Sequence, residues 1–219
     1  MSKVGPSTLL PALADYIEEC HAESATIPTS RRDILQAIAA SCAEMWQADD
    51  RIILLFVCTH NSRRSQLAQL WAHVAGYLQT GGSVWQCHSA GTEATAVAKP
   101  ILQSLQACGF QVREKNGPRQ EVEIDYATEE EPLVLYSKSI DDALLPKDQF
   151  IVVTTCGDAD ANCPYVPGTK KRFHLPYEDP KQSDGSPSQA ATYAHRCRQI
   201  AVEMLLLSQM AAAEHKLLA

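Results

Sequence analysis

The run "RIILLFVC", Arg51 to Cys58, constrains the fold more than any other stretch of the chain. A strand with one wet face alternates apolar and polar residues. From Ile52 to Val57 there is no polar position, so both faces need cover. A central strand in a parallel sheet flanked by helices meets that demand. The strand ends on Cys58, and a short polar loop leads through Arg63 and Arg64 into a helix starting at about Ser65. "DQFIVVTTC" repeats the pattern and ends on Cys156. Between them, "VWQCHSAGTEA" reads as a strand closing in a glycine turn, and Pro100 to Cys108 as a helix stopped by Gly109. Strands alternating with helices predict an α/β fold with a doubly wound parallel sheet, whose ligand site lies beyond the carboxyl ends of the strands. Cys58 and Cys156 both sit at such ends.

The flanks add less regular pieces. Leu9 to about His21 reads as a helix. A second begins near Thr29 or Ser30, where a hydroxyl cap precedes Ile34, Leu35, Ile38 and Met45 at helical spacing. Joined by "AESATIPTS", they predict a helical hairpin, an N-terminal extension over residues 1–50 ahead of a catalytic domain over 51–219. Residues 110–136 carry a turn signal at Asn116-Gly117-Pro118, the alternation Val122, Ile124, Tyr126, and then "LVLY". Two strand-like pieces follow from this, an added hairpin at the sheet edge, with Glu129 to Glu131 a solvated turn. The last helix is expected from Ser188 to His215, with Ala191, Ala194, Ile200, Ala201, Met204 and Leu205 toward the core.

Composition removes several classes of function. At 219 residues and 45% hydrophobic content the chain can bury one core. The formal charge is −7, with Lys and Arg scattered, so there is no nucleic-acid footprint. No run of eighteen apolar residues and no basic-then-apolar leader is read, which predicts no membrane span and a cytoplasmic protein. The 8 cysteines are then reduced thiols rather than a disulfide framework.

In "CTHNSRRS", five residues separate Cys58 from Arg64, and Ser65 follows. In a strand-to-helix turn of this length the amides from Thr59 through His60, Asn61, Ser62 and Arg63 can turn inward. The helix N-terminus adds positive potential, and together they suit a tetrahedral oxyanion. Arg64 supplies planar, bidentate donors, and Ser65 a hydrogen bond to the sulfur. Each favours a thiolate at Cys58. The competing use is a buried structural thiol at the end of a core strand. The activating surroundings favour the nucleophile.

"VVTTCGDADANCPYVPG" places Cys156 and Cys163 seven positions apart around an acidic loop. A zinc site, a structural pair and a redox pair are all open on residues alone. Zinc wants four ligands, usually more tightly spaced, so no metal is expected. The redox pair is favoured.

These segments resemble a known family. "CTHNSRRSQLAQ" resembles the signature of the low-molecular-weight protein tyrosine phosphatase superfamily and is especially similar to the phosphate loop of thioredoxin-coupled arsenate reductases. The resemblance runs over about Arg51 to Leu206, includes "SAGTEA" at Ser89 to Ala94, and is interrupted near residues 113–136. It implies a flavodoxin-like four-stranded parallel sheet. The second cysteine segment resembles the relay of those reductases, including Asp158, Asp160 and the trailing Cys-Pro. The implied chemistry is a thiol cascade: Cys58 attacks arsenate, Cys156 attacks Cys58 with release of arsenite, and Cys163 attacks Cys156. The disulfide so formed must reach the surface for thioredoxin to reduce it. No bound cofactor is implied. The superfamily carries its general acid on an Asp-Pro loop, which points to Asp179 in "HLPYEDPKQSDG", with Glu178 the local competitor and Tyr177 at the mouth. The alternative enzyme is a phosphatase acting on a phosphoester with Cys58, Arg64 and Asp179. A third possibility is a non-catalytic oxyanion or redox sensor.

The chain departs from the pattern at three positions. His60 stands where the family normally has glycine, which restricts the loop if that position needs positive φ; it could instead assist protonation. Arg63 stands where many members have a second cysteine, pointing either outward or at the anion. Gln69 replaces a carboxylate of potassium-binding reductases. Cys20, Cys42, Cys87, Cys108 and Cys197 have no matching partners and read as core or incidental thiols.

Overall fold

A computed structural model of the chain describes residues 9–82, 84–162 and 166–218. Helices α1 (Pro11–Glu23) and α2 (Thr29–Asp49) precede β1 (Ile52–Cys58), α3 (Arg64–Thr80), β2 (Trp85–Gly91) and α4 (Lys99–Ala107). Three short strands follow, β3 (Gln111–Glu114), β4 (Val122–Asp125) and β5 (Leu133–Leu135). The chain then forms β6 (Phe150–Thr154), the short α5 (Gly157–Asn162), β7 (Thr169–His174) and the long α6 (Gln189–Leu218).

The main sheet has the order β2-β1-β6-β7 and is parallel throughout. β1 is buried at all seven positions, as its unbroken apolar run requires. Counting only the strands of this sheet, the order is 2-1-3-4, the flavodoxin-like arrangement. Its strand order reverses between β1 and β6, and a ligand site is expected beyond the carboxyl ends at that crevice. Cys58 is the last residue of β1, and Cys156 lies just past Thr154 of β6.

β7, "TKKRFH", has no counterpart in the sequence reading. Lys170, Lys171 and Arg172 make it look polar, and they are exposed on an edge strand, where charge discourages pairing with another chain. Residues 110–136 also differ from expectation. They do not add a hairpin to the main sheet but fold into a separate antiparallel sheet, β3-β4-β5. The apolar side of β4, Val122 and Ile124, is buried, and Tyr126 just beyond it meets the rings of Tyr77 and His73 on α3. The opposite side carries Arg113 and Lys115 paired with Glu123, and Arg113 with Asp125. One buried face and one wet face is a stable use of an antiparallel sheet.

The two N-terminal helices do not form a hairpin packed chiefly on itself. Both dock on α6, and α2 also touches β1 and β7. Leu35, Ile38, Ala39, Cys42 and Met45 of α2 are buried there. α2 starts at Thr29, but its cap is Pro28, with no side-chain hydrogen bond, rather than a hydroxyl. On α6, Ile200, Ala201, Met204 and Leu205 face the core as expected, whereas Ala191 and Ala194 are exposed and Tyr193 and Cys197 take the buried positions.

Candidate active site

Cys58 lies buried at the mouth of the loop that joins β1 to α3. Its Sγ is 3.1 Å from the Ser65 hydroxyl, which also accepts from Asn61 Nδ2 at 2.9 Å. With its own acceptor capacity engaged by Asn61, Ser65 can turn its proton to the sulfur. Asn61 is fully buried and is the loop residue with positive φ, 44°. Asparagine tolerates that conformation better than most side chains. His60 does not have it, so the side chain there brings none of the strain that a missing glycine would predict.

Loop carbonyls point into the protein fabric. The Cys58 carbonyl accepts from Thr92 N, that of Thr59 from Glu93 N and Thr92 Oγ1, that of His60 from Thr95 Oγ1 and Ser137 Oγ, and that of Ser62 from Ala98 N. Asn61 is held twice more: its carbonyl and Oδ1 accept from Gln66 Nε2, and Oδ1 also accepts from Lys138 N at 2.9 Å. Among the described residues, the amides of His60, Asn61, Ser62 and Arg63 donate to no protein acceptor. That division, acceptors spent and donors unspent, makes an anion cradle. Gly91 allows the loop to sit this close: a Cβ there would lie 2.7 Å from Asn61 N and from the Thr59 carbonyl oxygen.

Arg64 and Asp179 meet across the cleft. Arg64 Nη2 donates to Asp179 Oδ2 at 2.7 Å and Nη1 to the Tyr177 carbonyl at 3.1 Å. Arg64 Nε is buried with no partner among the described residues. An unpaired buried donor carries a penalty of about 1–3 kcal/mol that an oxyanion would relieve. Asp179 also accepts from Lys181 N, and caps the 3₁₀ turn Pro180–Ser183. Cys58, His60, Ser62, Arg63, Arg64 and Asp179 line one small cleft. A wider groove, lined among others by Arg31, Arg196 and Glu203, lies between the start of α2 and α6 and holds none of these groups. The small cleft is where the candidate nucleophile, the candidate acid and the unspent loop donors converge.

Neighbouring residues sort differently than the sequence allowed. Glu178 points away, its side chain 89% exposed and paired with Arg196, and so is no competitor for the acid. Tyr177 does not line the mouth; it is buried, its hydroxyl donating to Glu203 at 2.7 Å. Arg63 turns its guanidinium outward from the loop, to the Tyr193 hydroxyl and Asp184. His60 is half-exposed at 3.7 Å from Glu93. Gln69 is buried on α3 with Oε1 unpartnered among the described residues, and no described cluster of His, Cys, Asp and Glu could hold a metal ion.

Cys156 is buried beside the same loop, its Sγ 3.5 Å from Thr59 Oγ1 and accepting from Ala159 N at 3.4 Å. Thr155 ties this strand end to Val57 through both N and Oγ1. Asp160 accepts from Thr154 and pairs with Arg172 and His174. Burial opposes ionisation, yet these partners together hold its carboxyl below the usual range. Cys163 lies outside the described residues. Cys20, Cys42 and Cys87 are buried core thiols, each pushed up chiefly by burial. Cys108 and Cys197 are not isolated: their sulfurs are 3.7 Å apart.

Sequence reasoning missed the loop's braces. Thr92, Thr95, Ser137, Gln66 and Lys138 reach it from three segments, and the quoted "SAGTEA" holds one of them, Thr92. Lys138 is itself buried, its Nζ over the Tyr136 ring and donating to the Tyr136 carbonyl; burial pulls it down to about 8 against the opposing pull of Asp142.

No protein-family model matches the chain. It is 31% identical over 146 residues to an arsenate reductase of Halalkalibacterium halodurans, covering 67% of this chain and 86% of that one. To the arsenate reductase of Bacillus subtilis it is 30% identical over 146 residues, with the same shares covered. A crystal structure of an arsenate reductase from Archaeoglobus fulgidus is similar at 21% identity and a TM-score of 0.48, covering 71% of this chain and 98% of that one. With the loop, the sheet and these curated relatives in agreement, the chain is an enzyme that belongs to the arsenate reductase family.

Proposed function

We propose that this enzyme reduces arsenate with a three-thiol relay regenerated by thioredoxin. The observation that carries the reading is the Cys156 thiol beside the anion loop, 3.5 Å from Thr59 Oγ1, where a relay needs its second sulfur and hydrolysis of a phosphoester does not require one. Cys58 attacks arsenic(V), forming an S–As bond as a hydroxide leaves, protonated by Asp179. Arg64 and the loop amides of residues 59–63, with Ser65 on the sulfur, hold the charge that builds on the oxyanion. Cys156 then attacks Cys58 Sγ. An S–S bond forms, and the S–As electron pair stays on arsenic, which departs as arsenite. Cys163 attacks Cys156, releasing the Cys58 thiolate, and thioredoxin reduces the Cys156–Cys163 disulfide by a further exchange. Free thiols at every described cysteine fit a reducing, cytoplasmic setting. No helix of the described residues is long and apolar enough to cross a membrane.

A phosphatase acting on a phosphoester would use the same Cys58, Arg64 and Asp179, with water in place of Cys156. The two readings separate in NADPH consumption by the reduced protein with thioredoxin and thioredoxin reductase, with and without arsenate, in wild type and Cys156→Ser. Arsenate-dependent turnover abolished by the substitution is expected. No turnover, beside aryl phosphate hydrolysis that survives Cys156→Ser, would establish the phosphatase instead. Neither activity would leave an oxyanion or redox sensor.

A further inference from the structure

The segment that carries the candidate acid is gripped from an unexpected direction. Arg31, in the first turn of α2, donates from Nη1 to the Pro176 carbonyl at 2.9 Å, and its guanidinium lies 4.9 Å from the centre of the Tyr177 ring. Its other edge makes a bidentate pair with Glu203 of α6, at 2.5 Å from Nε and 2.7 Å from Nη2. Glu203 is 2% exposed and also receives the Tyr177 hydroxyl. Tyr177 in turn offers its carbonyl to Arg64, two residues before Asp179. The path from α2 to the anion site is therefore continuous: Arg31, Glu203 and Pro176, Tyr177, then Arg64 and Asp179. A bidentate guanidinium–carboxylate pair is a directional contact that a packing surface does not need. Burial and the Glu203 charge raise the Tyr177 hydroxyl well above its ordinary value, so it stays a donor through the working pH range.

We propose that Arg31 is a positioning residue for the reaction: by clamping Pro176 and Tyr177 through Glu203, the N-terminal extension sets where Arg64 and Asp179 meet the oxyanion. This makes the extension part of the catalytic unit, and it rests on the reading of Arg64 and Asp179 as anion donor and acid. Arg64 holds the Tyr177 carbonyl from the cleft side, and Arg31 holds the Pro176 carbonyl and the tyrosine ring from the side of α2. Without Arg31, Glu203 would be left charged and buried with two neutral donors, Tyr177 and Gln199. It would then draw on whatever else could reach it, and the segment before Asp179 would shift.

The test uses the full chain. Arg31→Gln/Glu203→Gln removes both charges at once, so that no unpaired carboxylate unfolds the protein. Arg31→Lys keeps a charge for Glu203 but loses the second arm to Pro176. Gln36→Ala, which removes an exposed contact between α2 and Glu214 of α6, controls for docking of the helix in general. Two readouts are taken: protection of Cys58 from iodoacetamide by inorganic phosphate, which needs no turnover, and the pH profile of arsenate or aryl phosphate turnover. The double variant is expected to weaken phosphate protection about tenfold and kcat about a hundredfold, the scale of a misplacement near 1 Å. The limb of the profile that reports the acid should move, Arg31→Lys should recover part of the loss, and Gln36→Ala should match wild type. Unchanged protection and an unchanged profile in a double variant that melts like wild type would overturn the proposal, as would equal losses in Gln36→Ala. Should the double variant not fold, Arg31→Lys decides alone, since wild-type protection there would refute the second arm. If wild type turns over neither substrate, the reading of the reaction fails, while phosphate protection still tests the clamp.

Discussion

Gly91→Ala isolates how tightly the anion loop is seated. The new Cβ would lie 2.3 Å from the Glu93 carbonyl oxygen and 2.7 Å from Asn61 N and the Thr59 carbonyl oxygen. Comfortable contacts for carbon lie at about 3.5–4.0 Å, so the deficit is roughly 1 Å against three backbone atoms at once. None is the end of a flexible side chain. Either the β1–β2 pairing at Cys58 and Gly91 opens, or the loop retreats by a similar distance. Forced insertion of one methyl group into a packed site costs about 1–3 kcal/mol of stability. A retreat of about 1 Å at the oxyanion donors costs about a hundredfold in rate, or roughly 2.7 kcal/mol of barrier. Urea unfolding followed by the fluorescence of the buried Trp71 and Trp85 measures the first quantity, and phosphate protection of Cys58 together with turnover measures the second. We expect a loss of about 2 kcal/mol in stability and a larger proportional loss in activity. A variant within about 0.5 kcal/mol of wild type, with unaltered protection, would refute the argument that Gly91 is required by the loop's approach.

Other expectations follow from the same geometry. Burial pulls His73 down to about 4 from an ordinary 6.5. Between those values the unfolded chain takes a proton that the fold refuses, so stability falls as pH falls through that window, by up to about 3 kcal/mol. His73→Gln should flatten the difference between urea midpoints at pH 7.5 and pH 4.5, and an unchanged slope would assign the acid limb elsewhere. Asp179→Asn should lower kcat by about 10²–10⁴ while Glu178→Gln leaves it near wild type, because the latter side chain is 89% exposed and faces Arg196. The reverse order in steady-state assays would move the acid. In native protein at pH 7, iodoacetamide should label Cys58 before Cys42 or Cys87, whose thiols burial pushes up. Peptide mapping that finds Cys42 modified first would contradict the assignment of the nucleophile.

Much of the site's first layer was legible because it is local. Cys58 and Arg64 share one strand-loop-helix turn, and spacing alone brings the thiol, the amides and the guanidinium together. Cys156 was placed at a strand end by the same reading, which sets it next to Cys58 once the two strands are neighbours. Outward or inward choices were not legible. Glu178 and Asp179 are adjacent, and only the cover provided by Arg196 and Arg64 sends them to opposite sides. Arg63 was undecided until Tyr193 and Asp184 drew it away. The charges of β7 mask its strand character, and the inserted sheet reads as an edge hairpin because alternation reveals a buried face but not what buries it.

By itself the sequence determined the parallel sheet and the loop after Cys58, since an apolar run without a polar position needs cover on both faces, and the polar turn leads into a helix read from about Ser65. The tertiary structure alone decided how the loop is braced and aimed. Arg64 and Asp179 are 115 residues apart, and Arg31 and Glu203 are 172 apart. Contacts at that separation leave no periodicity or spacing in the chain, because they depend on where whole helices settle against the sheet, and that is set by the sum of apolar packing rather than by any residue near the site.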